Sequence, residues 1–180
     1  MILDAQQCCL LVIDIQSKLN PVMFDPGQAP EGAAKLLQGA ALLGVPALVC
    51  EQYPKGIGST VEGLQQHIPT GCLFEKSTFS ALADQSYRER FESLNKPQVV
   101  VCGIETHVCV LQSALDLLAK GASVFVVADA TASRTKENHD AGLDRIRAEG
   151  GRIVTLEMVL FEWVKRSDSS HFKQISQLIK

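Results

Sequence analysis

Six short, largely apolar runs, most of them followed by a stretch with helical spacing, constrain this chain more than any other feature. They are Cys8–Ile13, Pro46–Cys50, Cys72–Glu75, Gln98–Cys102, Ser123–Ala128 and Ile153–Leu156. Continuous apolar runs of this length suit strands covered on both faces, as in parallel sheets. Between them, Glu31–Leu43 places Ala33, Leu36, Leu37, Ala40 and Leu43 on one helical face and stops at Gly44. Asp84–Leu94 reads as a helix capped by Asp84, and a further helix opens after the Gly103 turn and ends at Gly121. Glu137–Glu149 is helical in pattern, and the C-terminal remainder is helical with a break around Ser167–Ser170. Three prolines and a glycine make Asn20–Pro30 a loop. The stretch Glu51–Thr60 is a second loop, followed by a short helix over Thr60–His67. Strands alternating with helices imply βαβ units and right-handed crossovers. The fold class expected is α/β, a three-layer α/β/α sandwich around a six-stranded, mainly parallel sheet. With 180 residues and no repeat or linker, the chain reads as one domain over residues 1–180.

Composition removes several classes of function. Hydrophobic residues make up 46% and charged residues 21%, an ordinary globular profile. A net charge of −3 argues against a nucleic-acid partner, which calls for a basic patch. No apolar run approaches the roughly 20 residues that span a bilayer, and Asp4 sits where a signal peptide carries positive charge. Cys8–Ile13 is therefore expected to be a core strand, with no membrane partner. The six cysteines show no C-x-x-C and no even framework, so they read as free thiols in a cytoplasmic protein.

In open α/β sheets, ligands bind beyond the carboxyl ends of the strands. Three groups stand at such ends: Asp14 after the first strand, Lys76 after the third, and Cys109 in the turn and helix start after the fourth. Each has a structural alternative, as helix cap, surface charge and core thiol respectively; their shared placement favours chemistry. A thiol reacts as its thiolate, and a helix N-terminus with a nearby ammonium such as Lys76 is expected to lower the Cys109 pKa. Asp14 would take the thiol proton and return it to a leaving group. Backbone N–H groups in the same turn would bind an oxyanion, typically worth about 3–4 kcal/mol of barrier.

These residues lie in segments that resemble the isochorismatase-like cysteine hydrolases, which include nicotinamidases and N-carbamoylsarcosine amidase. The similar segments are LLVIDIQ (Leu10 to Gln16), FEKSTFSA (Phe74 to Ala81), GIETHVCV (Gly103 to Val110) and VVADATASR (Val126 to Arg134), in family order across nearly the whole chain. The resemblance implies a catalytic triad of Asp14, Lys76 and Cys109, with Cys109 attacking an amide-like carbonyl. It also implies a cis peptide between Ile104 and Glu105 and an oxyanion hole formed by the backbone N–H groups of Glu105 and Cys109. A homo-oligomer is implied as well.

Departures from the family pattern narrow the reading. Nicotinamidases hold a metal with an Asp-Trp-His-Pro segment and a further His; here the segment is Glu51-Gln52-Tyr53-Pro54, with Ile57 at the second His position. Imidazole nitrogen is the usual ligand for such metals, so no metal and no cofactor are expected. True isochorismatases lack the triad cysteine, and its presence argues against vinyl-ether cleavage. Gln16 is a candidate for orienting substrate, or for capping. Tyr53 and Phe79 are candidates for lining the pocket, with aromatic core packing as the alternative. The expectation is a metal-independent cysteine hydrolase that cleaves an amide or related C–N bond of a small molecule through a thioester. The alternatives are an ester or vinyl-ether hydrolase using the same site, and a non-catalytic interaction protein that keeps the fold. A flavodoxin-like nucleotide binder fails for want of a Gly-rich turn after the first strand.

Overall fold

The apolar runs become six parallel strands in one sheet. The computed structural model describes the whole chain, Met1–Lys180. The strands are β1 (Cys8–Ile13), β2 (Ala47–Gln52), β3 (Leu73–Lys76), β4 (Gln98–Ile104), β5 (Ser123–Ala132) and β6 (Arg152–Val154), ordered β3-β2-β1-β4-β5-β6. Every pairing is parallel. The helices are α1 (Gln28–Leu43), α2 (Pro54–Ile57), α3 (Glu62–Gln65), α4 (Gln85–Leu94), α5 (Leu111–Ala119), α6 (Lys136–Ala148), α7 (Leu156–Val164) and α8 (Phe172–Leu178).

β1 shows why the runs are continuous rather than alternating. All six of its residues are buried, but they face two different cores. Cys8, Leu10 and Val12 join a cluster of 28 residues with α1, α7 and α8, whereas Cys9, Leu11 and Ile13 join one of 20 residues with α4, α5 and α6. Side chains alternate across a strand, so only a sheet covered by helices on both faces buries every position. Five of the six cysteines are buried in these cores and all six are free thiols. Trp163 is buried in the larger cluster, while Phe161 is half-buried against it.

Several boundaries differ from the sequence expectation, each for a local reason. α1 starts at Gln28, inside the expected loop. Pro30 is its third residue, where the missing N–H has no intrahelical acceptor in any case. Asp25 accepts from the N–H groups of Gly27 and Gln28 at 3.1 and 3.3 Å. β5 continues to Ala132 beyond the expected end at Ala128, with a register shift against β4, so Asp129 lies within it and accepts from the Leu156 N–H at the start of α7. Thr155 leaves β6 early because its side chain caps α7 at Met158 N. β4 likewise runs through Gly103 to Ile104 rather than turning at Gly103.

Gly103 has φ of 124°, and a Cβ there would strike the carbonyl oxygen of Ile13 on β1. No L-residue other than glycine adopts that backbone without strain. Gly103→Ala is expected to lower the unfolding free energy by about 2–4 kcal/mol, measured by urea denaturation.

Candidate active site

The strand order decides which chain ends meet. β1 and β4 are neighbours at the point where the order reverses direction, so Asp14 and the turn after β4 share one crevice. β3 is separated from β1 by β2, so Lys76 reaches Asp14 only through its long side chain, passing over the end of β2. Lys76 Nζ stands 2.6 Å from Asp14 Oδ2, and neither side chain has solvent contact.

Lys76 is held from four sides. Besides Asp14, its ammonium lies within hydrogen-bond reach of Gln52 Oε1 at 2.7 Å, the Thr78 carbonyl at 3.0 Å and the Phe79 carbonyl at 3.2 Å, so its three N–H groups serve four acceptors with one shared. Burial alone would lower its pKa, but the Asp14 carboxylate bonded to it outweighs this and raises it. Lys76 therefore stays cationic. Asp14, at φ 51°, sits in the left-handed region that aspartate tolerates better than most residues. Burial pushes its carboxyl above the ordinary value, against the pull of Lys76 and of the Cys50 and Cys109 thiols. A raised pKa makes it a stronger base than a surface carboxylate.

Cys109 lies in a π-helical turn, Thr106–Val110, between β4 and α5. The expected start of an α-helix is here a wider turn, a rare form frequent at functional sites. The N–H groups of Val108 and Val110 both bond the Glu105 carbonyl, at 3.0 and 3.2 Å. Thr106 Oγ1 pairs with His139 Nδ1 of α6 at 2.9 Å. α6 approaches this closely because residue 142 is glycine: a Cβ there would lie 3.0 Å from His107 Cα. The Ile104–Glu105 peptide is cis. Glu105 is buried, with Arg134 Nε 3.2 Å from its carboxylate.

The thiol differs from the sequence expectation in its electrostatics. Burial, followed by the charge of Asp14, pushes the Cys109 pKa up to about 12 despite the opposing effect of Lys76. The side chain is only 5% exposed, so desolvation outweighs both the turn and the ammonium. The resting group is a thiol, not a preformed thiolate.

The candidate binding residues separate into two kinds. Gln16 is fully buried and its amide is wholly engaged by backbone. Its Nε2 donates to the carbonyls of Gln52 at 3.0 Å and Gly58 at 2.5 Å, and its Oε1 accepts from Gln52 N at 2.7 Å. It braces the loops after β1 and β2, with both Nε2 protons already used. Tyr53 and Phe79 are exposed rather than packed in the core. Tyr53 lines a 280 Å³ cleft with Pro54, Lys55, Glu75, Lys76, Ser77 and Asp84; Asp14, Cys109 and Phe79 are not among its lining residues, and Phe79 meets Lys76 only through its carbonyl.

Two residues of the network were not singled out from sequence. Gln52 faces Lys76 in the β2–β3 register, and Cys50 faces Ile13, next to Asp14, in the β1–β2 register. Pairing register is the signal that reveals them. The Glu51-Gln52-Tyr53 segment does not fit a metal ion. Glu51 Oε1 is taken by Thr60 N and Oγ1, at 2.6 and 2.7 Å, and Gln52 Oε1 by Lys76.

The isochorismatase domain model matches residues 8–158. The chain belongs to the isochorismatase family. A secreted isochorismatase effector, Isc1, from Phytophthora sojae is 40% identical over 95% of this chain and 83% of its own length. Isochorismatase domain-containing protein 1 of Salmo salar is 38% identical over 96% of this chain, which spans 59% of that protein's length. Among solved structures, the MAR1 ribonuclease of Caenorhabditis elegans superposes with a TM-score of 0.93 at 30% identity, covering 99% of this chain and 92% of that one. The chain is thus an isochorismatase-family hydrolase, and no helix in it is long and apolar enough to cross a membrane.

Two outcomes follow from the geometry. Lys76→Met leaves Asp14 buried without a counter-charge, at a cost of about 3–5 kcal/mol. Its folded-state pKa then rises further above the unfolded value, so the deficit grows as pH rises; urea unfolding at pH 5 and pH 8 measures this. For the thiol, iodoacetamide labelling of Cys109 should increase as Asp14 loses its proton and increase again toward pH 12. No plateau at the full thiolate rate is expected below pH 9.

Proposed function

We propose that this chain is a metal-independent cysteine hydrolase that cleaves an amide or related C–N bond of a small molecule through a thioester. The observation that carries the reading is the convergence of a buried carboxylate, a buried ammonium and a buried thiol at the sheet's switch point. In this mechanism Asp14 takes the Cys109 proton as Sγ bonds to the carbonyl carbon. Concerted transfer suits a thiol whose own pKa is far above neutral. Backbone N–H groups of Glu105 and Cys109 bind the developing oxyanion. As the C–N bond breaks, Asp14 returns the proton to the leaving nitrogen. Water then attacks the thioester while Asp14 accepts its proton, releasing the acid and restoring the thiol. Lys76 keeps Asp14 in place and balances its charge throughout. The near-complete burial of Asp14 and Cys109 favours a small substrate.

The reading includes a homo-oligomer working in the cytoplasm, the latter supported by six unpaired thiols. An ester hydrolase would use the same steps with oxygen as leaving atom. The likeness to a ribonuclease raises a second reading, RNA cleavage. A net charge of −3 and the deeply buried carboxylate disfavour a polyanionic substrate.

A screen of small amides by ammonia release, run beside esters and a single-stranded RNA, separates these readings. Ammonia release that disappears in Cys109→Ala, with an unchanged circular dichroism spectrum, is the expected result. Full activity in that variant would overturn the covalent mechanism, and RNA cleavage that needs Cys109 would replace the amidase reading.

A further inference from the structure

Asp14 presents two oxygens, and each has its own buried partner. Oδ2 holds Lys76, while Oδ1 lies 3.1 Å from the Sγ of Cys50. Cys50 is fully buried near the carboxyl end of β2. Its main chain is tied to the same residue, since Asp14 N donates to the Cys50 carbonyl at 3.1 Å. The catalytic reading assigns Cys50 no part, yet this second thiol touches the proposed base directly.

We infer that Cys50 is a positioning residue for Asp14, its S–H donating to Oδ1 and fixing the rotation of the carboxylate so that Oδ2 keeps its contact with Lys76 and the orientation in which Asp14 serves Cys109 is held. This rests on the reading of Asp14 as the base for Cys109. Without a donor at Oδ1, the carboxylate can turn about χ2 and loses one of the contacts that favour its ionised form. Cys50 suits the task because burial and the neighbouring Asp14 charge hold its pKa well above the ordinary thiol value. It therefore keeps its proton and remains a donor at every working pH. The other groups facing this carboxylate are Lys76 from β3, Cys109 from the π turn and, through longer-range charge, Tyr87 from α4. Glu105 acts on Cys109 from the same turn.

Two variants of similar size separate hydrogen bonding from packing. Cys50→Ser keeps a donor, whereas Cys50→Val fills the space without one. The readout is the rate of Cys109 alkylation by iodoacetamide from pH 4 to pH 10, with peptide mass spectrometry confirming the labelled residue and thermal melting monitored in parallel. Cys50→Val should move the acid limb up by roughly half to one pH unit and slow labelling below it roughly three- to tenfold. Cys50→Ser should keep the wild-type limb. A limb that stays in place in Cys50→Val, or moves equally in both variants, overturns the positioning role. Asp14→Asn separates this failure from a failure of the catalytic reading. If Asp14→Asn removes the acid limb while Cys50→Val leaves it in place, only the role of Cys50 falls. If Asp14→Asn leaves the limb untouched, Asp14 is not the base and both fall.

Discussion

A lysine ammonium and an aspartate carboxylate 2.6 Å apart, both sealed from water, form the contact on which the rest of the site depends. Two such charges persist in an interior only when they are paired and their remaining hydrogen-bonding capacity is used. Here that capacity is met by Gln52, two loop carbonyls and the Cys50 thiol. The consequence runs outward through the chain. The loop after β3 must curl back to offer the Thr78 and Phe79 carbonyls, β2 must extend to Gln52, and Asp14 must take a backbone conformation that β-branched residues avoid.

The same pair explains why Cys109 can be both buried and useful. A thiol so far from water gains little from a nearby cation, and its proton stays on sulfur at rest. What the pair provides instead is a neighbouring carboxylate of raised pKa. In the proposed mechanism, reactivity belongs to the Asp14–Cys109 couple as a unit. A thiol that stays protonated at rest is also less open to adventitious oxidation, since the thiolate is the form that oxidants attack.

The sheet was legible in the sequence because burial on both faces leaves unbroken apolar runs, as in Cys8–Ile13 and Val99–Cys102. Asp14, Lys76 and Cys109 stood out because they interrupt or follow such runs at the end where ligands bind. What could not be read was whatever depends on which strands are adjacent. Gln52 and Cys50 acquire their roles from pairing register, and Gln16 is a brace because loops remote in sequence converge on its amide. The thiol's electrostatics were misjudged for a related reason: helix position and a neighbouring lysine are visible in a sequence, whereas depth of burial is not. Pro30 and Ala128 misplaced the ends of α1 and β5 because residue type marked a boundary that tertiary contacts moved.

Gln16 ties the loops after β1 and β2 and the Gly58 turn together through one side chain. The rim of the site is thus a single mechanical piece rather than a set of independent flaps. Recombining such rims between relatives, in nature or by design, would have to exchange Gln16, Gln52 and the Gly58 turn as one cassette. A transplant of Gln16 alone, or of a loop with a different backbone course, would leave buried main-chain groups without their partner.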